Sequence, residues 1–377
     1  MPLRLFEVTT RSDLNDFINF PWWLYRHDAH WVPPLKMSVR SILSPKHPFY
    51  KNAHRKLFIV RDGDTVVGRI ASILDQDHLT KYNELALHFG FFECVNDETV
   101  ARMLFNAVEA EAKRLKMDVI RGPFSPSTNY ECGLLIQGFT DPPQIMMSYN
   151  PRYYLELIEQ MNFHKAMDLI AYNIPIGTTI PERFQRIYER IKNNSRIVCR
   201  NLDKKNWKSE VEKIFSIYNS AWEENWGHTP MSWSEFRHMT NEMKMILNPD
   251  LAIMLEYDGE AVGIMIALPD YNQIFKTIKN GRLLPKGIFK LLRGAKKINR
   301  FRVLLMGVKK EYRKLGLSSV LYAKIWELTS QMKDQYKEAE LSWILETNDA
   351  MNTPILQMGA NPYKKYRIFE KKVSKKT

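Results

Sequence analysis

The residues best suited to chemistry in this chain lie between Val303 and Leu321. The segment begins with an apolar run, which is typical of a buried strand. An Arg-x-x-Gly-x-Ser turn follows, with Arg313, Gly316 and Ser318 at its fixed positions, and an amphipathic helix begins directly after it. A strand, a glycine turn and a helix N-terminus in that order leave backbone N–H groups pointing outward, with the positive end of the helix dipole behind them. The segment therefore predicts a pyrophosphate-binding turn, although the turn by itself could also be an ordinary solvated one.

Side chains that could accept a proton occur in three further places. Glu346 follows the apolar run 341–345, where the alternative is a solvent-exposed acid at a strand end. The polar loop 127–133 contains Asn129 and Glu131, and the alternative there is a capped surface turn.

The third place is an aromatic and ionisable cluster at positions 221–228. Trp222 and Trp226 are four residues apart, so we expect them on one face of a helix, with Glu223 and His228 close by. Aromatic residues at this spacing can equally belong to a core, and the sequence leaves both interpretations open.

The segment from Val303 to Leu321 resembles the cofactor motif of the GNAT superfamily of acyl-CoA N-acyltransferases. That family carries Arg/Gln-x-x-Gly-x-Gly/Ala here, and Ser318 takes the last small position. The next strand, 341–348, fits the same pattern, because it ends in Asn348, at which the family's last helix starts. The resemblance implies acyl-CoA or coenzyme A as co-substrate, with Met306 and Val308 beside the pantetheine arm. The full set of implied cofactor-binding residues is Met306, Val308, Arg313, Lys314, Gly316, Ser318 and Asn348.

Within this resemblance, the polar clusters take on roles in acyl transfer to an amine. The candidate general bases are Glu346, Glu223 and His228, and the candidate acceptor-binding residues are Trp222, Trp226, Asn129 and Glu131. Ile355 stands where many family members place the Tyr that protonates the departing thiolate, so another donor, water or a loss of activity must account for that position. No metal is expected, because the three cysteines are widely spaced and form no CxxC site.

Composition limits the classes of partner. The 377 residues carry a formal charge of +13, which predicts an acidic partner such as a phosphate-bearing cofactor, an anionic membrane surface or nucleic acid. Three widely spaced cysteines support no disulfide framework and favour a reducing cytoplasm. We find neither a signal-peptide core at the start of the sequence nor an apolar run long enough to span a bilayer. We therefore expect a cytoplasmic protein, with a peripheral position on the inner face of the membrane as an option.

The two halves of the chain follow one plan, in which a hairpin precedes a strand and a helix. The hairpins have Asp62-Gly63 and Asp258-Gly259 at their turns, and Gly68 matches Gly263. We expect an α/β fold of two tandem GNAT-like units, each a mixed, twisted sheet flanked by helices. The N-terminal unit, 1–175, lacks the glycine turn; a linker helix lies in 176–204; and the C-terminal unit, 205–377, contains the cofactor site.

A basic insertion, 281–300, interrupts the C-terminal unit. As a helix it places six apolar residues on one face and cations on the other, which is typical of a helix lying in a membrane interface. The alternative is a helix whose apolar face packs on its own domain. The apolar positions are Leu284, Ile288, Leu291, Leu292, Ala295 and Ile298.

The amino-acid sequences of several segments, including 20–25, 31–35 and 129–135, resemble those of a bacterial branch of the superfamily that includes ceramide-synthase-like N-acyltransferases. This resemblance implies transfer of an acyl group from acyl-CoA or acyl carrier protein to a lipid-like, long-chain amine. Two other hypotheses remain. The protein could be a catalytically silent acyl-CoA-binding protein. With weaker support, it could be a nucleic-acid-binding protein. Binding of nucleic acid is disfavoured because the basic residues cluster on an apolar helix rather than among stacking aromatic residues.

Overall fold

The computed structural model describes residues 2–177 and 181–374. They form two compact units. The first comprises residues 1–169, 275–290 and 364–377, and the second residues 170–274 and 291–363. These boundaries follow contacts and not the sequence repeat, so residues 170–175 belong to the second unit and residues 364–377 to the first.

The first unit contains a mixed sheet in the order β1-β2-β3-β4-β5-β15, with β8 also paired to β15. β6 and β7 form a separate small sheet. Helix α4 buries Val100, Leu104 and Val108 in the core. The strands are β1 (Leu3–Glu7), β2 (Ala53–Asp62), β3 (Thr65–Asp75), β4 (Ala86–Cys94), β5 (Val119–Gly122), β6 (Phe124–Ser125), β7 (Glu131–Cys132), β8 (Leu134–Gln137) and β15 (Asn361–Lys372), and the helices are α1 (Arg11–Leu24), α2 (Lys36–Ile42), α3 (Gln76–Tyr82), α4 (Glu98–Arg114) and α5 (Tyr154–Gln160).

The second unit contains a sheet in the order β9-β14-β13-β12-β11-β10, to which β9 contributes from Ile170 onward. The segment with α9 and α10 interrupts it, and residues 275–290 of that segment count with the first unit. The strands are β9 (His164–Pro175), β10 (Ile197–Asn201), β11 (Ala252–Tyr257), β12 (Glu260–Pro269), β13 (Arg300–Val308) and β14 (Glu338–Leu345), and the helices are α6 (Glu182–Lys192), α7 (Trp207–Ala221), α8 (Trp233–Met243), α9 (Asn272–Phe275), α10 (Lys286–Gly294), α11 (Ser318–Gln331) and α12 (Asp349–Gln357).

The repeat predicted from sequence extends to the strand register. In the first hairpin Val60 pairs with Gly68, and the register then shifts by one residue before Arg61. In the second, Leu255 pairs with Gly263 and the same shift follows. The prediction of an α/β fold with a repeated hairpin plan is confirmed.

The helix predicted as a linker is α6. It packs on α11, since the ring of Phe184 lies 6.1 Å from that of Tyr322. Among the helices of the described residues, none is long and apolar enough to cross a membrane.

Candidate active site

Strands β13 and β14 run parallel and then separate. They pair from Arg300 opposite Glu338 to Val303 opposite Leu341. Beyond this point β13 stays paired with β12 as far as Val308. In the described part of the chain, the other edge of residues 304–308 therefore has no partner strand in this register. We call the opening between residues 304–308 and residues 342–345 the fork. An extended chain can add to such a strand edge through backbone hydrogen bonds.

The fork leads into the predicted pyrophosphate-binding turn. The N–H of Lys309 donates to Val262 O at 2.8 Å, which ties the start of the turn to β12. A 3-10 helix, Lys310–Leu315, ends at Gly316, whose φ of 70° is the left-handed conformation that glycine adopts readily. Helix α11 begins two residues later, at Ser318. In its first turn, Ser319 and Val320 donate their N–H groups to Gly316 O and Leu317 O at 3.0 and 3.1 Å, and the positive end of the helix dipole lies at this terminus.

Two cations of this turn, Lys310 and Arg313, contact residues at and just after the C-terminal end of α7. Arg313 donates to Ala221 O at 2.7 Å, and its guanidinium lies 3.3 Å from a carboxylate oxygen of Glu224. Lys310 Nζ lies 2.6 Å from the other oxygen of Glu224. The hydrogen bond from Lys310 lowers the pKa of Glu224. Sequence analysis assigned no role to Glu224, whose only signal was its place in the cluster 221–228. Lys314, predicted as a phosphate ligand, is exposed.

The indole of Trp222 packs on β13. A Cβ atom on Gly307 would lie 2.7 Å from the indole of Trp222, so the glycine is what allows this contact. Trp222 also stacks on Tyr218, with ring centroids 5.1 Å apart. The structure thus places Trp222, a predicted acceptor-binding residue, against strand β13. The same strand carries Met306 and Val308, which the family resemblance implies as cofactor-binding residues.

The other members of the cluster do not share a helix face with Trp222. Helix α7 ends at Ala221, and Trp226 lies in the turns that follow. The prediction of a common face for the two indoles is wrong because the helix stops one residue before the first of them. His228 is buried with its ring 5.4 Å from Tyr218, whereas Glu223 is exposed.

Glu346 lies in the turn between β14 and α12, and its side chain is half-buried. The turn is fixed by Asn352, a residue that sequence analysis missed. Its amide donates to Leu345 O at 3.0 Å and to Glu346 O at 3.3 Å, and its own oxygen accepts from Tyr172 at 3.0 Å. Asn348 occupies the position before α12 but forms no side-chain cap there.

Ile355, at the position of the family's Tyr, is 1% exposed. One turn earlier in α12, Met351 accepts a hydrogen bond through its sulfur from the hydroxyl of Tyr322 on α11, at 3.4 Å. Burial raises the pKa of Tyr322, so this phenol keeps its proton at neutral pH.

A buried ionic cluster sits where β13 and β14 separate. Arg302 and Glu340 pair across the two strands, 2% and 0% exposed. Arg302 donates to Ser342 Oγ at 2.8 Å and to Ser342 O at 3.1 Å. Ser342 and Tyr363 donate their hydroxyls to the two oxygens of Glu340. The cluster fixes the position at which the fork opens.

The corresponding opening in the first unit is filled. Strand β4 pairs with β5 only from Ala86 to His88, as β13 does with β14. Here, however, Phe124 and Ser125 lie along β4. A Cβ atom on Gly90 would lie 1.6 Å from Phe124 O, and the N–H of Phe91 donates to Ser125 Oγ at 3.2 Å.

Asn129 and Glu131 belong to the same region of the first unit. Asn129 donates its N–H to Ser127 Oγ at 3.3 Å and is half-buried, and Glu131 is exposed in β7. Between them, the ring of Tyr130 lies 6.0 Å from that of His47. Within the described residues, no group of three or more His, Cys, Asp or Glu side chains forms a possible metal site.

Two curated relatives match nearly the whole chain. The chain is 35% identical over 381 residues to the bacterial ceramide synthase of Caulobacter vibrioides, covering 98% of this chain and 97% of the relative. It is 33% identical over 368 residues to protein YghO of Escherichia coli K12, covering 96% and 94%. The chain belongs to the family of these two proteins. No family model matches it.

Solved structures agree on the fold. A tandem GNAT protein from the clavulanic acid biosynthesis pathway aligns over the whole of both chains with a TM-score of 0.58 at 9% identity. A probable N-acyltransferase from Enterococcus faecalis aligns over 99% of this chain and 73% of its own length, with a TM-score of 0.52 at 8% identity. These neighbours show that the chain has the fold of tandem GNAT proteins, as the sequence analysis predicted.

Proposed function

We propose that this GNAT protein is an N-acyltransferase that moves an acyl group from acyl-CoA, or from acyl carrier protein, to a long-chain amine. The observation that carries the proposal is the fork of the second unit, which runs directly into the turn at Gly316 and the N-terminus of α11. A free strand edge suits the amides of a pantetheine arm, and a helix N-terminus suits its pyrophosphate.

In this proposal the donor lies along Met306 and Val308, and its phosphates meet the turn that carries Arg313, Lys314 and Ser318. Gly316 lets the backbone approach the phosphates closely. Because Glu224 already pairs with Arg313, a bound phosphate would compete with it for that cation. Asn348, before α12, would line the same region.

The reaction joins the amine nitrogen to the thioester carbonyl carbon and breaks the carbon–sulfur bond. The amine must lose a proton, and Glu346 in the turn after β14 is the proposed acceptor, directly or through water. Glu223 and His228 are the other candidates. The thiolate takes up a proton from water or from a group other than Ile355.

The acceptor is proposed to be lipid-like because the relative from Caulobacter vibrioides carries the name ceramide synthase. Trp222, which packs on β13, and Trp226 supply aromatic surface for it. We also propose that the protein acts in the cytoplasm, at an anionic membrane surface reached through residues 281–300.

A catalytically silent acyl-CoA-binding protein is the second candidate. Ile355 favours it, because an aliphatic side chain at this position cannot supply a proton to the leaving thiolate.

The test combines binding with turnover. Calorimetry with acyl-CoA of several chain lengths should show binding, and a thiol-reactive chromogen should detect free coenzyme A when long-chain amines, including sphingoid bases, are added. Gly316→Glu should abolish binding. Gly259→Glu is the matched control, because Gly259 has a similar φ of 80° and nothing within 4 Å of its Cβ position. Binding without thiol release across the amine panel would support the silent protein, and no binding at all would refute both.

A further inference from the structure

The segment 271–298 is acid-free and strongly basic. It contains eight cations and no Asp or Glu, and the cations are Lys276, Lys279, Arg282, Lys286, Lys290, Arg293, Lys296 and Lys297. Sequence analysis placed the apolar residues of this segment on one helix face. In the structure they do not share one environment, because Leu291 and Ile298 are buried whereas Leu284 and Leu292 are exposed.

One face of α10 packs on the preceding part of the same segment. Gly287, Leu291 and Gly294 follow the spacing of a single helix face. A Cβ atom on Gly294 would lie 2.9 Å from the side chain of Ile274, and one on Gly287 would lie 2.6 Å from Arg282 O. Lys290 Nζ adds a hydrogen bond to Thr277 O at 2.6 Å. The helix is therefore held closely by the face that carries its glycines.

The opposite face carries large apolar side chains in solvent. Phe289 and Leu292, three residues apart, are 59% and 68% exposed, and Leu284 just before the helix is 70% exposed. At about 100° per residue, Lys286, Lys290 and Arg293 form a strip between this face and the anchored one. This arrangement, with apolar residues outward and cations beside them, matches what a bilayer interface requires.

We infer that Leu284, Phe289 and Leu292 insert into the acyl region of an anionic membrane, while the neighbouring cations contact the headgroups. This inference deepens the membrane contact of the proposed function and rests on it for its biological purpose. A lipid surface is favoured over a protein because the charge is of one sign along the whole segment, which complements anionic headgroups.

The test is cosedimentation of the full chain with vesicles of phosphatidylcholine alone and with phosphatidylglycerol added. We expect binding to the anionic vesicles only, weakened by salt. The triple variant Leu284→Ser, Phe289→Ser, Leu292→Ser should reduce partitioning roughly 100-fold, since each side chain contributes about a factor of five. Met245→Ser is the matched control, because Met245 is also 70% exposed and lies outside this segment; it should leave partitioning unchanged.

Two further measurements distinguish failure of the membrane inference from failure of the proposed function. Acyl-CoA binding in solution should be equal in the wild type and the triple variant, and so should the melting temperature, because the three side chains are exposed to solvent in the folded protein. Vesicle binding without acyl-CoA binding would refute the proposed function and leave this surface standing. Equal vesicle binding by both forms would overturn the inference. So would a triple variant that loses only its binding to holo-acyl carrier protein, since the surface would then be a protein interface.

Discussion

The buried pair of Arg302 and Glu340 allows a quantitative test of what holds the fork in place. Arg302→Met removes the guanidinium and leaves the carboxylate of Glu340 in a site where it is 0% exposed, with the hydroxyls of Ser342 and Tyr363 as its remaining donors. Breaking a buried ion pair by removing one partner costs about 3–5 kcal/mol. Glu340→Gln leaves Arg302 without its counter-ion and should cost a similar amount.

The double variant should be far less damaged than the sum of the two. Methionine fills the space of the arginine stem, and the oxygen of the glutamine side chain introduced at position 340 can still accept a hydrogen bond from a neighbouring hydroxyl. We therefore expect a loss below about 3 kcal/mol, so that the coupling between the two positions is at least about 3 kcal/mol. Urea unfolding, followed by circular dichroism, measures all three free energies of unfolding, and acyl-CoA calorimetry reports whether the fork survives.

A surface pair in the same unit provides the control. Arg196 Nε donates to Asp258 Oδ1 at 2.9 Å, but the two side chains are 56% and 49% exposed. Arg196→Met should cost at most about 1 kcal/mol. The reasoning fails if Arg302→Met costs no more than Arg196→Met, or if the losses in the double variant simply add.

Three other changes test separate parts of the site. Gly307→Ala should displace the indole of Trp222 and cost about 1–3 kcal/mol of stability by overpacking, with weaker amine binding in steady-state kinetics; an unchanged KM for the amine would count against an acceptor role for Trp222. Asn352→Leu should lower kcat at least tenfold with little change in acyl-CoA affinity, because the turn that presents Glu346 loses two hydrogen bonds; equal loss in binding would place the effect elsewhere. Burial, with a neighbouring histidine and arginine, holds the pKa of His88 well below its ordinary 6.5. Below about pH 6.5 the unfolded chain therefore binds a proton at this residue that the folded chain does not. The free energy of unfolding consequently falls as the pH drops below about 6.5. His88→Leu should reduce that slope by up to about 1.4 kcal/mol per pH unit in denaturation at pH 7 to 5, and parallel slopes would contradict the assignment.

The fold and the order of strand, glycine turn and helix around Gly316 were predictable because their signals are local. Asp-Gly at the hairpin turns and a glycine after a strand act through backbone conformation, which the neighbouring residues largely decide. The register shift before Gly68 and Gly263 shows how far this local agreement extends.

The ionic cluster was not predictable because charged residues in a strand ordinarily face solvent. Arg302 and Glu340 alternate with apolar neighbours, as exposed residues do, and only the pairing of β13 with β14 brings them together. The end of α7 before Trp222 was missed for a related reason, since helical spacing in the sequence does not show where a helix stops.

If the donor binds at the fork as proposed, the chain segment that fills the first unit's opening limits each molecule to one donor. Phe124 and Ser125 supply, from within the polypeptide, the extended backbone that β4 would otherwise accept from outside. A duplicated architecture would ordinarily be bivalent, but this one is expected to titrate to one equivalent of thioester per chain. Removing strand β6 from this opening would test whether the first unit can then bind a second equivalent.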